Sequence, residues 1–213
     1  MVNHKRTEKI YREEGLALRI RKRKKLASVP RVPAPKATRP TEQWAMDFIQ
    51  DSFWNGRRFR CFTLVDTFTK ECPLIEVDTS LTGLRVTRVL EYLGKVQGLP
   101  RSIRVDNGPE FISQVLDEWA HRRRVNLDFI RPGKPTDNPY IESFHDKFRD
   151  ECLNQNYFLN LNEAKEVIET WRIEYNTVRP HESLDQLTPR EFMAEYQQQN
   201  DNLNPQEFSL QVV

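Results

Sequence analysis

The chain has 213 residues, of which 38% are hydrophobic and 30% charged, and this composition supports one core domain of ordinary size with appendages. It contains neither the apolar run of about 20 residues that a membrane span requires nor the apolar stretch of a signal peptide, so we expect neither feature. The three cysteines, Cys61, Cys72 and Cys152, are odd in number and have no CxxC spacing, which excludes a disulfide framework and a zinc knuckle and favours a reduced intracellular compartment.

Charge divides the chain into two parts. Residues 1–40 carry 13 Lys and Arg against 3 Glu, a net charge of +10, whereas the remainder has a net charge of −8. A basic arm joined to an acidic body predicts a polyanion-binding segment beside a cation-binding site. Residues 1–27 form this arm, with a short predicted helix from Thr7 to Leu18, and the proline-rich residues 28–40 form a stiff linker.

Apolar patterns predict five strands in the body that follows. The stretch from Trp44 to Asp51 alternates, with Trp44 and Met46 on one face and Asp47 on the other. Asn55-Gly56 then supplies a hairpin turn. The other strands are predicted at Phe59 to Val65, Cys72 to Val77, Ile103 to Val105 and Leu127 to Ile130.

Apolar residues at helical spacing predict the intervening helices. These are expected at Val86 to Val96, Pro109 to Ala120, Pro139 to Cys152, Asn162 to Tyr175 and Pro189 to Tyr196. Pro109 and Pro139 each suit a first turn, and Asn138 and Asn162 suit caps. The polar residues 197–213 are expected to be a flexible tail.

The order of these elements predicts the fold class. Three strands in a meander, followed by alternating helices and strands, indicate an α/β fold in which a mixed five-stranded sheet is flanked by helices, with extra C-terminal helices. This body covers residues 41–196.

Three carboxylates stand at informative places in this plan. Asp47 lies in the middle of the first strand, Asp106 ends the fourth strand before the sharp Asn107-Gly108 turn, and Glu142 is the fourth residue of the helix that starts at Pro139. Taken singly, an Asp at a strand end is usually a turn or cap residue and a helical Glu usually faces water. As a set, they offer the ionised oxygens that Mg²⁺ prefers, close to the strand ends where α/β sheets place their sites. Two Mg²⁺ ions about 4 Å apart favour phosphodiester chemistry, so the hypothesis is a metal-dependent polynucleotidyl transferase.

Several stretches of sequence resemble one known family. They are Trp44-Ala45-Met46-Asp47-Phe48, Asp106-Asn107-Gly108-Pro109-Glu110-Phe111, the run from Pro132 to Phe144 (PGKPTDNPYIESF), Arg149-Asp150-Glu151-Cys152-Leu153-Asn154, and Tyr175-Asn176-Thr177-Val178-Arg179-Pro180-His181. Together they resemble the second-frame (OrfB) transposases of bacterial insertion sequences, family three, which are related to retroviral integrases. The resemblance covers about residues 41–195.

This resemblance implies an RNase H-like fold and a DDE triad at Asp47, Asp106 and Glu142, which would bind two Mg²⁺ or Mn²⁺ ions. It implies cleavage at the element ends and transfer of the freed 3′-OH into target DNA. The implied partners are DNA, further copies of the chain on DNA, and a first-frame protein of the same element. The implied location is the bacterial cytoplasm, on the nucleoid when bound to DNA.

The chain departs from the family pattern in two ways. Where the family usually has Asn-Gly, this chain has His145-Asp146, and Asp146 is expected one helical turn beyond Glu142, where it would repel DNA or perturb the metal site. His145 either contacts DNA or faces solvent, and the second interpretation is favoured. The family also has a larger N-terminal DNA-binding region, of which residues 1–25 resemble only the end, so a truncated chain is expected.

The DNA contacts are predicted from positive charge. The basic run would clamp phosphates, and this interpretation is favoured over a solvated face or a localisation patch because the body already suggests DNA chemistry. Residues near Glu142 could position the strand, although each could be a surface charge or, for Asn138, only a cap. The predicted DNA-binding residues are Arg19, Arg21, Lys22, Arg23, Lys24, Lys25, Lys134, Asn138, Lys147 and Arg149.

Two alternatives to a transposase remain open. One is an RNase H-like nuclease that cuts without joining, for which Asp66 and Asp146 are the candidates for a fourth carboxylate. The other is a truncated, non-catalytic DNA-binding relic.

Overall fold

The structure, a computed structural model, describes residues 4–14, 36–131 and 137–203. The chain divides into two compact units, residues 1–35 and 36–213. In the first unit, helix α1 spans His4–Glu13, which overlaps the helix predicted from Thr7. The basic run and most of the proline-rich linker lie outside the described residues.

A single mixed sheet forms the centre of the second unit. Its strands are β1 (Gln43–Ser52), β2 (Arg58–Asp66), β3 (Leu74–Asp78), β4 (Ser102–Val105) and β5 (Asn126–Phe129). Their spatial order is β3-β2-β1-β4-β5, with β1–β2 and β2–β3 antiparallel and β1–β4 and β4–β5 parallel. The predicted mixed five-stranded sheet is therefore confirmed.

Helices cover both faces of the sheet. They are α2 (Gly83–Val96), α3 (Gln114–Arg123), α4 (Pro139–Phe148), α5 (Leu161–Thr177) and α6 (Pro189–Leu203), and a π-helical turn, Arg149–Leu153, continues α4. Among the described helices, none is long and apolar enough to cross a membrane.

The alternation predicted for the first strand separates two buried cores. Trp44 and Met46 pack with α2 and α3 on one face of the sheet, whereas Ala45 and Ile49 pack with α4 and α5 on the other. Asp47 projects to the α4 side because side chains alternate along a strand. The sheet therefore presents this carboxylate to the helix that carries Glu142.

The β1–β2 hairpin closes as its sequence predicts. Gly56 has a φ of 79°, in the left-handed region that glycine adopts without steric cost. The Asn55 side chain accepts a hydrogen bond from the Arg57 backbone N–H at 3.0 Å. The nine-residue pairing that follows includes Asp47 opposite Thr63.

Two predicted helix starts were wrong. Helix α3 begins at Gln114 rather than near Pro109. The preceding residues instead form a turn, in which the Phe111 N–H bonds to the Gly108 carbonyl at 3.0 Å. Helix α5 is capped by Asn160 rather than Asn162, and the Asn160 side chain accepts from two backbone N–H groups.

The last helix is longer than expected. Helix α6 continues past the predicted end at Tyr196 to Leu203, so the first part of the segment expected to be flexible is helical. Glutamine is a good helix former, and the Asn200 side chain donates to the Tyr196 carbonyl at 2.9 Å. Residues 204–213 lie outside the described part of the chain.

Candidate active site

Asp47 is held rigidly at the centre of the sheet. One carboxylate oxygen, Oδ1, accepts from the Phe48 backbone N–H at 2.6 Å. The hydroxyl of the fully buried Thr63, opposite on β2, donates to the Asp47 carbonyl at 3.0 Å. The side chain remains 29% exposed, so the second oxygen is accessible.

Asp106 lies beside Asp47 because β1 and β4 are parallel and in register. Ala45 pairs with Arg104, so Asp47 and Asp106 follow at matched positions on neighbouring strands. The Asp106 carboxylate accepts from the Gly108 backbone N–H at 2.9 Å. A Cβ on Gly108 would stand 3.0 Å from the Asp106 Oδ1, and the lack of a side chain therefore lets the loop fold over the carboxylate.

Two contacts fasten the loop after Asp106 to the sheet. Phe111 is buried and stacks on Phe48, with ring centroids 5.0 Å apart. Glu110 pairs with Arg60, whose guanidinium lies 4.2 Å from the centroid of the Phe48 ring. Sequence reasoning assigned no role to Arg60, and the signal that could have found it, a basic residue in an otherwise apolar strand, is weak.

Glu142 reaches the same region from α4. The helix starts at Pro139 and Glu142 lies in its first turn, as predicted. Asn138 occupies the cap position, but its side chain makes no cap hydrogen bond, and its buried Oδ1 has no hydrogen-bond partner. Ile141, Phe144 and Phe148 are buried against the sheet and fix the orientation of the helix.

The charges of Asp106 and Glu142 act on Asp47. Burial, assisted by the charges of Asp106 and Glu142, raises the pKa of Asp47 to about 6, against the opposing effects of the Phe48 N–H and Arg60. Both other carboxylates are therefore near enough to repel Asp47. Such repulsion is offset when a cation is shared.

The donor set suits a divalent cation, although it does not form a finished cage. Within residues 4–14, 36–131 and 137–203, no three His, Cys, Asp or Glu side chains are arranged to hold a metal ion. Mg²⁺ keeps several waters and takes substrate oxygens, so a site with few protein ligands is compatible with it.

His145 occupies a place that the sequence did not predict. Its side chain is only 15% exposed, so the favoured expectation of a solvent-facing histidine is wrong. The Nε2 atom lies 2.7 Å from the Thr63 hydroxyl oxygen, and Nδ1 lies 3.8 Å from the Asp47 Oδ2. Because the Thr63 hydroxyl donates its proton to the Asp47 carbonyl, Nε2 must be the donor to Thr63 and Nδ1 is the unprotonated nitrogen.

The charge of His145 follows from its surroundings. Burial, assisted by Arg149 and opposed by Asp146, lowers the pKa of His145 to about 4. The imidazole is therefore neutral near pH 7 and bonds to Thr63 on β2, whose hydroxyl in turn bonds to the Asp47 carbonyl. Only the packing of α4 against β2 reveals this contact.

The other predicted site residues are scattered. Asp66 is 6% exposed and accepts from the backbone N–H groups of Thr41, Phe68 and Thr69, which explains it as a turn residue. Asp146 is exposed on α4.

The predicted DNA contacts differ in accessibility. Arg149 is exposed, Asn138 is 3% exposed, and Lys147 donates to the Ser143 hydroxyl at 2.8 Å. The basic run from Arg19 to Lys25, together with Lys134, lies outside the described residues. The assignment of these residues to DNA stays a prediction.

Comparisons with known proteins agree on one family. The integrase core domain matches residues 37–135 and 123–189. A 31.7 kDa protein of insertion element IS407 from Burkholderia multivorans is 47% identical over 194 residues, covering 91% of this chain and 70% of that protein. The putative transposase InsK of insertion sequence element IS150 from Escherichia coli is 27% identical over 168 residues, covering 74% of this chain and 56% of that protein.

The fold has a counterpart among solved structures. The integrase catalytic core domain of HTLV-2 in complex with magnesium superposes with a TM-score of 0.51 at 19% identity, covering 72% of this chain and 95% of that one. At this identity the similarity supports the RNase H-like fold alone.

Proposed function

This chain belongs to the integrase-core transposase family of bacterial insertion sequences, and from that membership we propose that it cuts DNA at the ends of an element and joins the freed 3′-OH to target DNA. Membership supports DNA transposition and polynucleotidyl transfer in general. The observation that carries the specific proposal is the placement of the three carboxylates: Asp106 follows the strand that runs parallel to β1, and Glu142 lies in the first turn of α4, on the side of the sheet to which Asp47 projects. The charges of Asp106 and Glu142 help to raise the pKa of Asp47, which agrees with this placement.

The proposed reaction consists of two displacements at phosphorus. In the first, a water oxygen bonds to phosphorus at the element end and loses a proton to solvent, while the bond from phosphorus to the 3′ oxygen breaks and that oxygen takes up a proton to become the 3′-OH. In the second, the 3′-OH loses its proton to solvent as its oxygen bonds to a phosphorus of the target strand, and the 3′ oxygen that it displaces takes up a proton. No covalent protein intermediate is required.

The protein contributes positioning and charge. The register of β1 and β4 sets the spacing of Asp47 and Asp106, and Thr63 with the Phe48 N–H keeps Asp47 fixed. We assign Asp47, Asp106 and Glu142 to the binding of Mg²⁺ or Mn²⁺. When bound, two such ions would activate the attacking oxygen and stabilise the leaving oxygen. The HTLV-2 integrase catalytic core, which has a similar fold, is itself in complex with magnesium.

The proposed assembly follows from the reaction. Joining two element ends requires at least two copies of the chain on DNA, and a first-frame protein of the same element is the further partner that we propose. Phosphate contacts from the basic run would supply affinity that falls with salt. The chain spans 70% and 56% of the two relatives described above, so these whole-protein properties stay proposals.

The experiment is an oligonucleotide joining assay with a pre-cut element end in Mg²⁺. Glu142→Gln keeps the shape of the side chain and removes its charge, so we expect joining to fall by at least 100-fold while DNA binding persists. Glu195→Gln, an exposed position on α6, is the matched control and should join normally. Joining by Glu142→Gln at the wild-type rate rejects the assigned role. A wild type that cuts an uncut element end but does not join the pre-cut one would favour a nuclease.

A further inference from the structure

A cavity lies beside α4, on the side of that helix opposite to Glu142. It encloses about 530 Å³ and is lined by the end of β2, the turn after it, α4, α5 and α6. Tyr140 and Lys147 line it, and at 3.6 residues per turn both face away from Glu142 on the same helix. The family comparisons and the proposed reaction assign nothing to this cavity.

The described lining of this cavity is cationic. It includes Lys36, Lys70 and Lys147, and no Asp or Glu is among the described residues that line it. The carboxylates whose charges act on these lysines stand outside the described lining: Asp66 acts on Lys70, and Glu151 and Asp146 act on Lys147. Asp66 binds backbone N–H groups, and Glu151 pairs with Arg179. The lysines therefore face the cavity without a matching negative charge on its described wall.

The positively charged side chains around the cavity repel one another, which lowers the pKa values of the groups near them. Burial lowers the pKa of Lys70 to about 8; the positive charge of Lys36 adds to this effect, and the negative charge of Asp66 opposes it. His181, which also lines the cavity, has its pKa lowered to about 4 by burial and by Arg179, Lys147 and Lys70, against a hydrogen bond to the Tyr175 backbone. An anionic ligand would relieve this repulsion.

Aromatic side chains and fixed donors complete the wall. The Lys70 ammonium lies 4.1 Å from the centroid of the Tyr140 ring, and Lys147 is oriented by the Ser143 hydroxyl at 2.8 Å. His181 is 6% exposed, and its Nε2 has no hydrogen-bond partner. Charged donors beside an aromatic face are the combination that proteins use for unpaired nucleotides.

Size restricts the ligand. A volume of about 530 Å³ falls within the range of about 300–1,000 Å³ typical of small-ligand pockets, which a duplex is too wide to enter. The helix that separates this cavity from Glu142 is about 10 Å across. About three steps of a strand, at about 3.4 Å each, would cover that distance.

We propose that this cavity binds one nucleotide of an unpaired DNA strand, with its phosphate on Lys70 and Lys147 and its base against Tyr140. The proposal rests on the proposed function, since it assumes that DNA is the substrate. Under this proposal, the cavity beside α4 binds DNA that carries a single-stranded extension of about three or more nucleotides.

The test compares binding of a blunt duplex with that of the same duplex carrying a five-nucleotide single-stranded extension. Fluorescence anisotropy over a series of salt concentrations gives both affinities. The double variant Lys70→Gln/Lys147→Gln should lose at least tenfold in affinity for the extended duplex and less than twofold for the blunt one. For two phosphate contacts on a single strand, the slope of log affinity against log salt should fall by about 1.4.

Controls separate the cavity from general charge and from misfolding. Lys95→Gln/Lys165→Gln removes two exposed lysines elsewhere and should bind the extended duplex within twofold of the wild type. Thermal unfolding checks that each variant is folded, and Lys36→Gln, at a less buried lining position, is the substitute if the double variant is unfolded. Equal binding of both duplexes by the wild type, or an unchanged extended-duplex affinity in the folded cavity variant, overturns the proposal.

Two further arms identify the ligand and keep the two proposals apart. If inorganic phosphate alone raises the unfolding temperature of the wild type as much as the oligonucleotide does, the cavity is a free-phosphate site and the nucleotide assignment fails. The joining assay is run on the same preparations. If the wild type joins normally but the cavity variant binds the extended duplex as well as the wild type does, only this inference is rejected. If the extended duplex binds in a way that depends on the cavity lysines but the wild type joins nothing, the proposed function is rejected.

Discussion

Replacing Asp47 with asparagine should stabilise the metal-free protein. The carboxylate is held where burial and two like charges disfavour ionisation, and its pKa is raised from 3.8 to about 6. Each pKa unit corresponds to about 1.4 kcal/mol, so ionising Asp47 in the folded state costs up to about 3 kcal/mol. Because 29% of the side chain is exposed, solvent screening reduces this, and we expect a gain of about 1–3 kcal/mol for Asp47→Asn.

The local geometry accommodates the amide. The new side chain would retain an oxygen for the Phe48 N–H, and its NH₂ could replace the Oδ2 that lies 3.8 Å from the unprotonated Nδ1 of His145. The substitution therefore removes a charge without creating an unsatisfied group.

The extra stability of Asp47→Asn over the wild type should increase as pH rises. As pH rises from about 4 to about 6, the unfolded chain releases the Asp47 proton before the folded protein does, so the stability of the wild type falls relative to the variant. The advantage of Asp47→Asn should be absent below about pH 4, grow between about pH 4 and 6, and be constant above.

Urea unfolding in EDTA at pH 4, 5 and 8 measures this effect. Added Mg²⁺ should then stabilise the wild type and leave the variant unchanged, because a ligand that binds only the folded state raises its stability. A variant less stable than the wild type at pH 8 in EDTA, or a difference that does not vary with pH, would refute the reasoning.

Three further substitutions test the surroundings of the site. Gly108→Ala would place a methyl group 3.0 Å from the Asp106 Oδ1, so joining should fall about tenfold in the kinetic assay while the unfolding free energy changes by less than about 1 kcal/mol; unaltered joining would show that the loop can move. Thr63→Val leaves the buried His145 Nε2 without its acceptor and should cost about 1–3 kcal/mol in urea unfolding, whereas Thr63→Ser should cost less; equal losses would contradict the role of the hydroxyl. Asp146→Gly should lower stability by only about 0.3 kcal/mol, because relative to alanine a helix loses about 1 kcal/mol with glycine and about 0.7 kcal/mol with aspartate, and joining should not be reduced; a large loss of joining would give this exposed carboxylate a function.

The sequence predicted the features that depend on local pattern. Alternation along β1 placed Asp47 opposite Trp44 and Met46, and the proline at position 139 located the start of α4 and hence Glu142. Both signals belong to a single element, so they need no knowledge of its neighbours.

Features that depend on packing between elements were missed. Pro109 resembles a helix start, but the stacking of Phe111 on Phe48 holds that segment in a turn, and α3 begins only at Gln114. His145 resembles a surface residue until α4 packs on β2 and brings it to Thr63. The cap of α5 was predicted at Asn162, but Asn160, which has the same side chain, occupies that position, because the backbone there brings two N–H groups to its side-chain oxygen.

The in-register pairing of β1 with β4 constrains how this chain can evolve. Inserting or deleting a single residue between Gln43 and Asp47 would move the side chains of the strand to the opposite faces of the sheet. The carboxylate would then enter the apolar layer beneath α2 and α3, and an apolar side chain would take its place beside Asp106. Length changes should therefore accumulate among natural variants in the hairpin around Gly56 and be purged from the first half of β1.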